Sequence, residues 1–437
     1  MDTATIAPPL PESFIPVSRF ALIEHLSQLP ACPEKDQAAC KPFFRQLAAW
    51  RHQQFRERLT GLKKCYLPFS PDRDTVKILQ YHPQEKQALL DTLIEQITRL
   101  LVKANYQRIS ADDLNALFTA QSPHGLQLKV DLSEFEQMLL FSRGSQLETR
   151  ERRTLKSLYL KKESYQIALF QRLFLLLKLK PEKLRIQEIM AAESVNEKKV
   201  KKLLHKYRSS LPDRITGDHV YLKLFKRIPQ VDLEMLFPNT RVQLKTFDKL
   251  KLGITAGGGT VGSITATITK ITAAATPFAA AGALAGLAGV IFRQVMKFFS
   301  QRTKYMMQLA QNLYFHNLAN NRGVLTLMVD RAEEEEIKES MLLYTMLSHH
   351  PTTRETLPEL KQHCEDWLHK TFHVRVDFDI HSPLEALIND GLVEQNTEGK
   401  LTPLPPQKAS QHLETLWQQY LTRAESPEDE MEDDDSI

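Results

Sequence analysis

The chain reads as mainly α with a smaller β component. It is a multi-domain α+β protein that carries a two-helix transmembrane hairpin and a C-terminal winged-helix-like unit. Three observations predict this. Apolar residues recur at helical spacing through most of the chain. One 40-residue stretch, 253–292, holds a single charge. The last ordered-looking segment runs helix, short alternating strand, helix, candidate β-hairpin, helix.

The 437 residues exceed one small domain, so two or three folded units are expected. With 42% apolar and 25% charged residues, global disorder is excluded. The net charge of +4 is too mild to imply nucleic acid. Eight carboxylates fall between Glu425 and Asp435, which leaves a body of about +12, suited to an anionic surface.

In order, residues 1–18 are Pro-rich and extended, and 19–150 form a helical N-terminal domain. There, Phe20, Ile23 and Leu26, then Phe43, Phe44, Leu47 and Phe55, mark helices broken near Pro30–Pro33. Tyr66–Thr75 is turn-rich. Pro83–Ala104 is a strongly amphipathic helix. Ser110 caps a second one that starts with Asp112 and Asp113. Residues 151–250 form a mixed, basic region. Its runs LKSLYL and IALFQRLFLLLKLK suit strands or a buried helix, and β-structure is favoured. Leu184–Ser209 is helical, and Lys198, Lys199, Lys201 and Lys202 lie on a solvated face.

Residues 251–293 are the apolar hairpin. Ile271–Phe292 is 22 uncharged residues, about 33 Å as a helix, which matches a bilayer core. Gly253–Thr269 is shorter and richer in Thr and Gly, with Lys270 at the turn. Gly258 and Gly262, then Gly282, Gly286 and Gly289, allow close helix contact in lipid. Pro277 lies early in the second half, where a missing donor costs least. The alternatives are a buried hairpin of a soluble core or a linker, although a linker would be more polar. Lys223, Lys226, Arg227, Arg241, Lys245, Lys249 and Lys251 before the hairpin, with Arg293 and Lys297 after it, are the expected anionic-surface contacts. They place both flanks on the cytoplasmic side.

Residues 294–350 form post-membrane helices. One of these, Arg331–Leu347, has Glu333–Glu336 in its first turn, where carboxylates complement the helix dipole. Residues 351–423 form the winged-helix-like domain, and 424–437 are an acidic disordered tail. The expected recognition helix carries Glu385 and Asp390 and no base, which argues against DNA.

Cys32, Cys40, Cys65 and Cys364 lack CxxC spacing and read as free thiols in a reducing compartment. The first 20 residues show no basic-then-apolar signal, and a bacterial cytoplasmic membrane fits. No motif implies a cofactor or a metal. Asp72 with Asp74, Asp232 with Glu234, and His316 with Asp330 and Glu333–Glu336 are carboxylate groupings able to bind a metal. Turn and capping roles are the commoner use of such residues. GGGT at 257–260 lacks the phosphate-loop lysine and a preceding strand.

YLKLFKRIPQVDLEMLFPNTRV, leading into the hairpin, resembles the hallmark of an uncharacterised family. That family is domain of unknown function 3754, also called transmembrane protein 143-like. FIPVSRFALIEHL, CYLPFSPDRDT, NLANNRGVLTLMVDRAEEEEIKESMLLYTML and EALINDGLV resemble its other blocks in order. The resemblance implies two closely spaced transmembrane helices in a mitochondrial or bacterial membrane, and no activity.

The expected function is that of a membrane-anchored, non-enzymatic scaffold or assembly factor. It would contact lipid and either a protein partner or a second copy of itself. The alternatives are a membrane-associated enzyme directed at lipid or phosphate, and a pore-type oligomer built on the small-residue hairpin.

Overall fold

The computed structural model describes residues 11–29, 34–72, 81–110, 112–114, 118, 127–153, 162–193, 196–208, 215–238, 241–243, 289, 292–293, 296 and 315–424. In chain order the helices are α1 (Arg19–Leu26), α2 (Glu34–Tyr66), α3 (Pro83–Lys103), α4 (Glu182–Glu193), α5 (Glu197–Arg208), α6 (Arg322–His349), α7 (Leu357–Phe372), α8 (His381–Asn389) and α9 (Pro406–Ala424). The strands are β1 (Gln107–Arg108), β2 (Gln127–Lys129), β3 (Phe135–Arg153), β4 (Lys162–Leu179), β5 (Tyr221–Pro229), β6 (Arg241–Gln243), β7 (Asn317–Asn320), β8 (Thr352–Thr353), β9 (Val393–Gln395) and β10 (Lys400–Pro403). The mixed α+β class is as expected. Two compact units form: residues 1–107 with 321–437, and residues 108–320.

In the first unit α6 is the central helix, packed by α1, α2, α3, α7 and α8. Its residues 335–347 are buried all round, as a helix surrounded by other helices must be. Ile337, Met341, Leu342 and Leu343 meet Phe43, Phe44 and Leu47 of α2, Leu22 of α1, and Leu384 and Leu387 of α8 in one core. Pro83 and Glu85 start α3 well. Glu85 accepts from the His82 N–H at 2.8 Å, and Leu90, Leu93, Ile97 and Leu101 form the buried stripe. After α6 come β8, α7, α8 and the β9–β10 hairpin. β10 lies between β8 and β9, antiparallel to both. The alternating segment VRVDFD is not a full strand: Val376 makes a single parallel bridge with Glu12. Of the Pro-rich N-terminal stretch, residues 11–18 are described, and they run as a strap that buries Ile15 in the core.

One sequence expectation fails in this unit. Glu333–Glu336 do not open a helix. The helix starts at Arg322, a full three turns earlier, so these carboxylates lie mid-helix, and Glu335 and Glu336 are each only 2% exposed. The dipole of a helix start does not account for them.

The second unit is built on a five-stranded sheet in the order β1-β3-β4-β5-β7. Residues 135–153, assigned above to a helical domain, are strand. They pair antiparallel with β4 from Phe135 opposite Leu179 out to Arg153 opposite Lys162. β4 is flanked on both edges and buried from Leu173 through Leu179. A strand covered on both faces needs no alternation, which is why FLLLKL fits a helix equally well. Leu140, Phe170, Leu173, Leu175, Phe225 and Ile228 close one core with Leu233 of the 3-10 segment Gln230–Leu236 and with Phe237 just after it. α4 and α5 form a small side pair through Ile186, Val200 and Leu204, with Lys198, Lys199, Lys201 and Lys202 exposed.

No helix among the described residues is long and apolar enough to cross a membrane. The hairpin 253–292 falls outside the described residues except for Gly289 and Phe292, both helical and exposed.

Candidate functional site

The most concentrated chemistry lies in the first unit, where α6 brings charge into an apolar core. A buried charge persists only when paired, and the partners here come from α2 and α3. Glu336 faces Arg51 Nε of α2 at 3.6 Å, Lys103 Nζ of α3 at 2.5 Å and Arg58 of α2 at 3.9 Å. Burial alone would raise its pKa. The Arg51 and Lys103 charges, the Lys103 hydrogen bond and Arg58 outweigh burial and hold the carboxyl below its ordinary value. Arg51 is 2% exposed and reaches Asp390 Oδ2 at 2.6 Å, while its Nη1 donates to Gln54 Oε1 at 2.9 Å. Asp390 Oδ1 accepts from Trp50 Nε1 at 3.1 Å and Gln54 Nε2 at 3.0 Å. Its carbonyl accepts from His412 of α9 at 2.8 Å in the matching ring tautomer.

One turn along α6, Glu335 and Lys338 grip the strap. The Ile15 N–H donates to Glu335 Oε2 at 3.2 Å, Lys338 Nζ donates to the Ile15 carbonyl at 2.6 Å, and the two side chains pair at 2.8 Å. Glu339 accepts from Asn105 Nδ2 at 2.8 Å. Burial, reinforced by nearby Glu335, Asp379 and Glu336, pushes its carboxyl well above the ordinary range, which favours its neutral form. Chemically this assembly is a charge-paired ionic lock joining α2, α3, α6, the end of α8 and α9, in which Arg51 Nε and Nη2, Glu336 Oε1 and Asp390 Oδ2 are buried without a hydrogen bond. Residues such as Arg51 and Asp390 could not be paired from sequence, because 339 positions separate them. The only available signal was an RAEEEEIKES run between apolar stretches of one helix.

Of the expected metal groupings, only part lies among the described residues. Asn321 Nδ2 hydrogen-bonds Asp72, and Asp74 lies outside the described residues. Glu234 is buried in the 3-10 segment, and the side chain of Asp232 is not among those described. His316 belongs to the second unit, where its Nδ1 meets the Lys226 carbonyl at 2.8 Å, whereas Asp330 and Glu333–Glu336 belong to the first. Among the described residues no group of three His, Cys, Asp or Glu side chains is placed to hold a metal. Cys40, Cys65 and Cys364 are buried free thiols, and burial pushes the thiols of Cys65 and Cys364 up, away from reactivity.

Of the expected membrane-surface cations, Lys223 is half-buried in β5 opposite Leu175 and Asn320. Lys226 is exposed and stands opposite Arg172. Arg227 is exposed, takes a left-handed φ of +53° and pairs with Glu148 at 3.0 Å. Arg241 sits in β6 opposite Lys129, and Arg293 is helical and exposed. Lys245, Lys249, Lys251, Lys297, Gly258, Gly262, Lys270, Pro277, Gly282 and Gly286 lie outside the described residues. A Cβ on Gly289 would meet nothing within 4 Å.

No solved structure matches the chain. Residues 135–323, the sheet unit with the passage through the hairpin segment, match the family model described as a protein of unknown function, DUF3754.

Proposed function

We propose that the protein is a membrane-anchored interaction factor. Its 253–292 segment would insert in the bilayer, and its α-rich unit would present a winged-helix-like surface to a protein partner. The observation that carries this reading is the set of groups exposed on that surface. The order α6, β8, α7, α8, β9, β10, with β10 between β8 and β9, supports a winged-helix-like reading. In nucleic-acid binders the helix at α8 is basic, because phosphate contacts supply the affinity. Here α8 exposes His381, Glu385 and Asn389, and the adjoining strand and turn expose Glu394 and Glu398. Glu385 pairs with Arg354 at 3.1 Å. Such a face would repel a duplex and suits a protein with a basic or polar contact patch. The carboxylates an enzyme reading would need at α6 are already engaged by Arg51, Lys103 and Lys338.

Two experiments test the two halves of the reading. Membranes expressing the protein are washed with carbonate, then with detergent. Retention through carbonate supports the hairpin, and release by carbonate removes it. Full-length protein in mild detergent is then used for affinity capture, alongside Glu385→Lys/Glu394→Lys. A stoichiometric partner lost in the variant supports the contact face. A partner-free monomer, or capture indifferent to the variant, counts against it.

A further inference from the structure

In the sheet unit the chain enters the 253–292 segment after β6 and returns from it into β7. The residues at that return form a mixed basic and apolar patch. Beyond the last β5–β7 pair, Phe225 opposite Asn317, the next residues outward are Lys226 and His316, joined by the 2.8 Å contact of His316 Nδ1 with the Lys226 carbonyl. Arg227 follows in a left-handed conformation that few residues other than Gly, Asn and Asp adopt readily. As a result Lys226 and Arg227 are exposed in succession, where a regular strand would alternate. Arg227 reaches Glu148 of β3, and the residue before it, Leu147, is 65% exposed. Phe315, two residues before β7, and Leu318 on β7 are 69% and 37% exposed. Arg172 stands opposite Lys226, and Arg143 opposite Arg172, so three cations cross the sheet in one register row.

We infer that this end of the sheet, Lys226 and Arg227 rimmed by Leu147, Phe315 and Leu318, is a docking surface for the anionic headgroup layer of a lipid bilayer. Two features favour a bilayer over a soluble acidic protein. The first is charge complementarity combined with an apolar rim, since cations engage phosphate oxygens while aromatic and aliphatic tips enter the interface. The second is chain continuity, because 22 residues of the chain separate Phe292, where the apolar segment ends, from Phe315 on this surface. The strained Arg227 is then a positioning feature that turns two adjacent charges to one side. This inference rests on the membrane reading for its setting, and the test separates the two.

Full-length protein is reconstituted in phosphatidylcholine, or in phosphatidylcholine with one third phosphatidylglycerol, and amide exchange is followed over 145–149, 226–229 and 315–320. The expected result is slower exchange with phosphatidylglycerol than with phosphatidylcholine, reversed by high salt. Lys226→Gln/Arg227→Asn should lose that protection, the docked state falling about 30-fold when two charges are removed. Asn is chosen because it tolerates the left-handed backbone. Lys226→Arg should retain protection. Equal exchange in both lipids, or a variant with unchanged protection, overturns the inference. If carbonate releases the protein, the same exchange is measured after mixing with vesicles. Protection that depends on phosphatidylglycerol then sustains the surface while the hairpin falls, and its absence overturns the surface as well.

Discussion

Glu339 and Asn105 meet at 2.8 Å inside the helical unit, and the partner on the other side of that asparagine is the N-terminal strap, whose Ser13 hydroxyl donates to the Asn105 carbonyl at 3.2 Å. Asn105 itself is left-handed at φ +59°, the residue that ends α3. A carboxyl thus sits where burial and neighbouring carboxylates favour its neutral form. A group whose folded pKa is raised stabilises the fold below its unfolded value, near 4.5, and that contribution is lost as pH rises through the folded pKa. Glu339→Gln, neutral and isosteric, should therefore raise the melting temperature at pH 7–8, by about 2–4 °C for each kcal/mol recovered. It should leave stability near pH 4 almost unchanged. An identical pH slope in thermal melts of variant and parent would sink this account.

Arg51 serves two carboxylates at once, so its loss takes the paired cation from buried Asp390 and leaves Glu336 to Lys103 and Arg58. Arg51→Ala should cost about 3–5 kcal/mol in urea unfolding. Adding Asp390→Asn should recover part of that cost, because the stranded charge is removed together with its partner. Strict additivity of the two substitutions would show that they do not share a network. Glu336 carries an acid-side consequence as well. Its folded pKa is depressed, so its contribution is present above about pH 4.5 and lost as pH falls through the folded value.

These two sites show what the sequence could and could not carry. Helices with clean stripes were legible: Pro83–Ala104 differs by one residue from the observed α3. β3 was missed. Its sequence FEQMLLFSRGSQLETRERR lacks strict alternation, and the pairing that stabilises it lies further along the chain on β4. A continuous apolar run reveals burial but not conformation, so β4 was expected only as a preference. The ionic lock was invisible for a different reason. A run of four glutamates has the same local appearance on a wet face as in a core, and only Arg51, Lys103 and Lys338, contributed by three separate stretches of chain, distinguish the two.

Two glycines give a paired backbone test. Gly391 ends α8 at φ +68°, and a Cβ there would stand 2.8 Å from His412 Nε2, a ring held by the Asp390 carbonyl. Gly399 turns the wing at φ +77° with nothing within 4 Å of a Cβ. Gly399→Ala should carry only the left-handed penalty, about 1–2 kcal/mol. Gly391→Ala should cost more, because His412 must also move. Asn at 399 should be close to neutral. Equal losses for the two alanine variants would mean that the His412 contact is slack.

The end of α6 supplies the complementary pH limb. Burial and the neighbouring His350 hold His349 toward its neutral form, and burial with His363 does the same for His350. The His350 and His363 rings stack in parallel, with centroids 4.3 Å apart and planes 3° from one another. For a histidine with a lowered folded pKa the unfolded chain binds the proton more readily. The stability it contributes is complete above the unfolded value, near 6.5, and declines as pH falls below it. Melting temperature should therefore drop between pH 7 and pH 5, before the carboxylates of the lock titrate. His349→Gln/His350→Gln should flatten that interval and leave the alkaline limb, which Glu339 governs, in place. If the variant keeps the parent's slope from pH 7 to pH 5, the decline has another source.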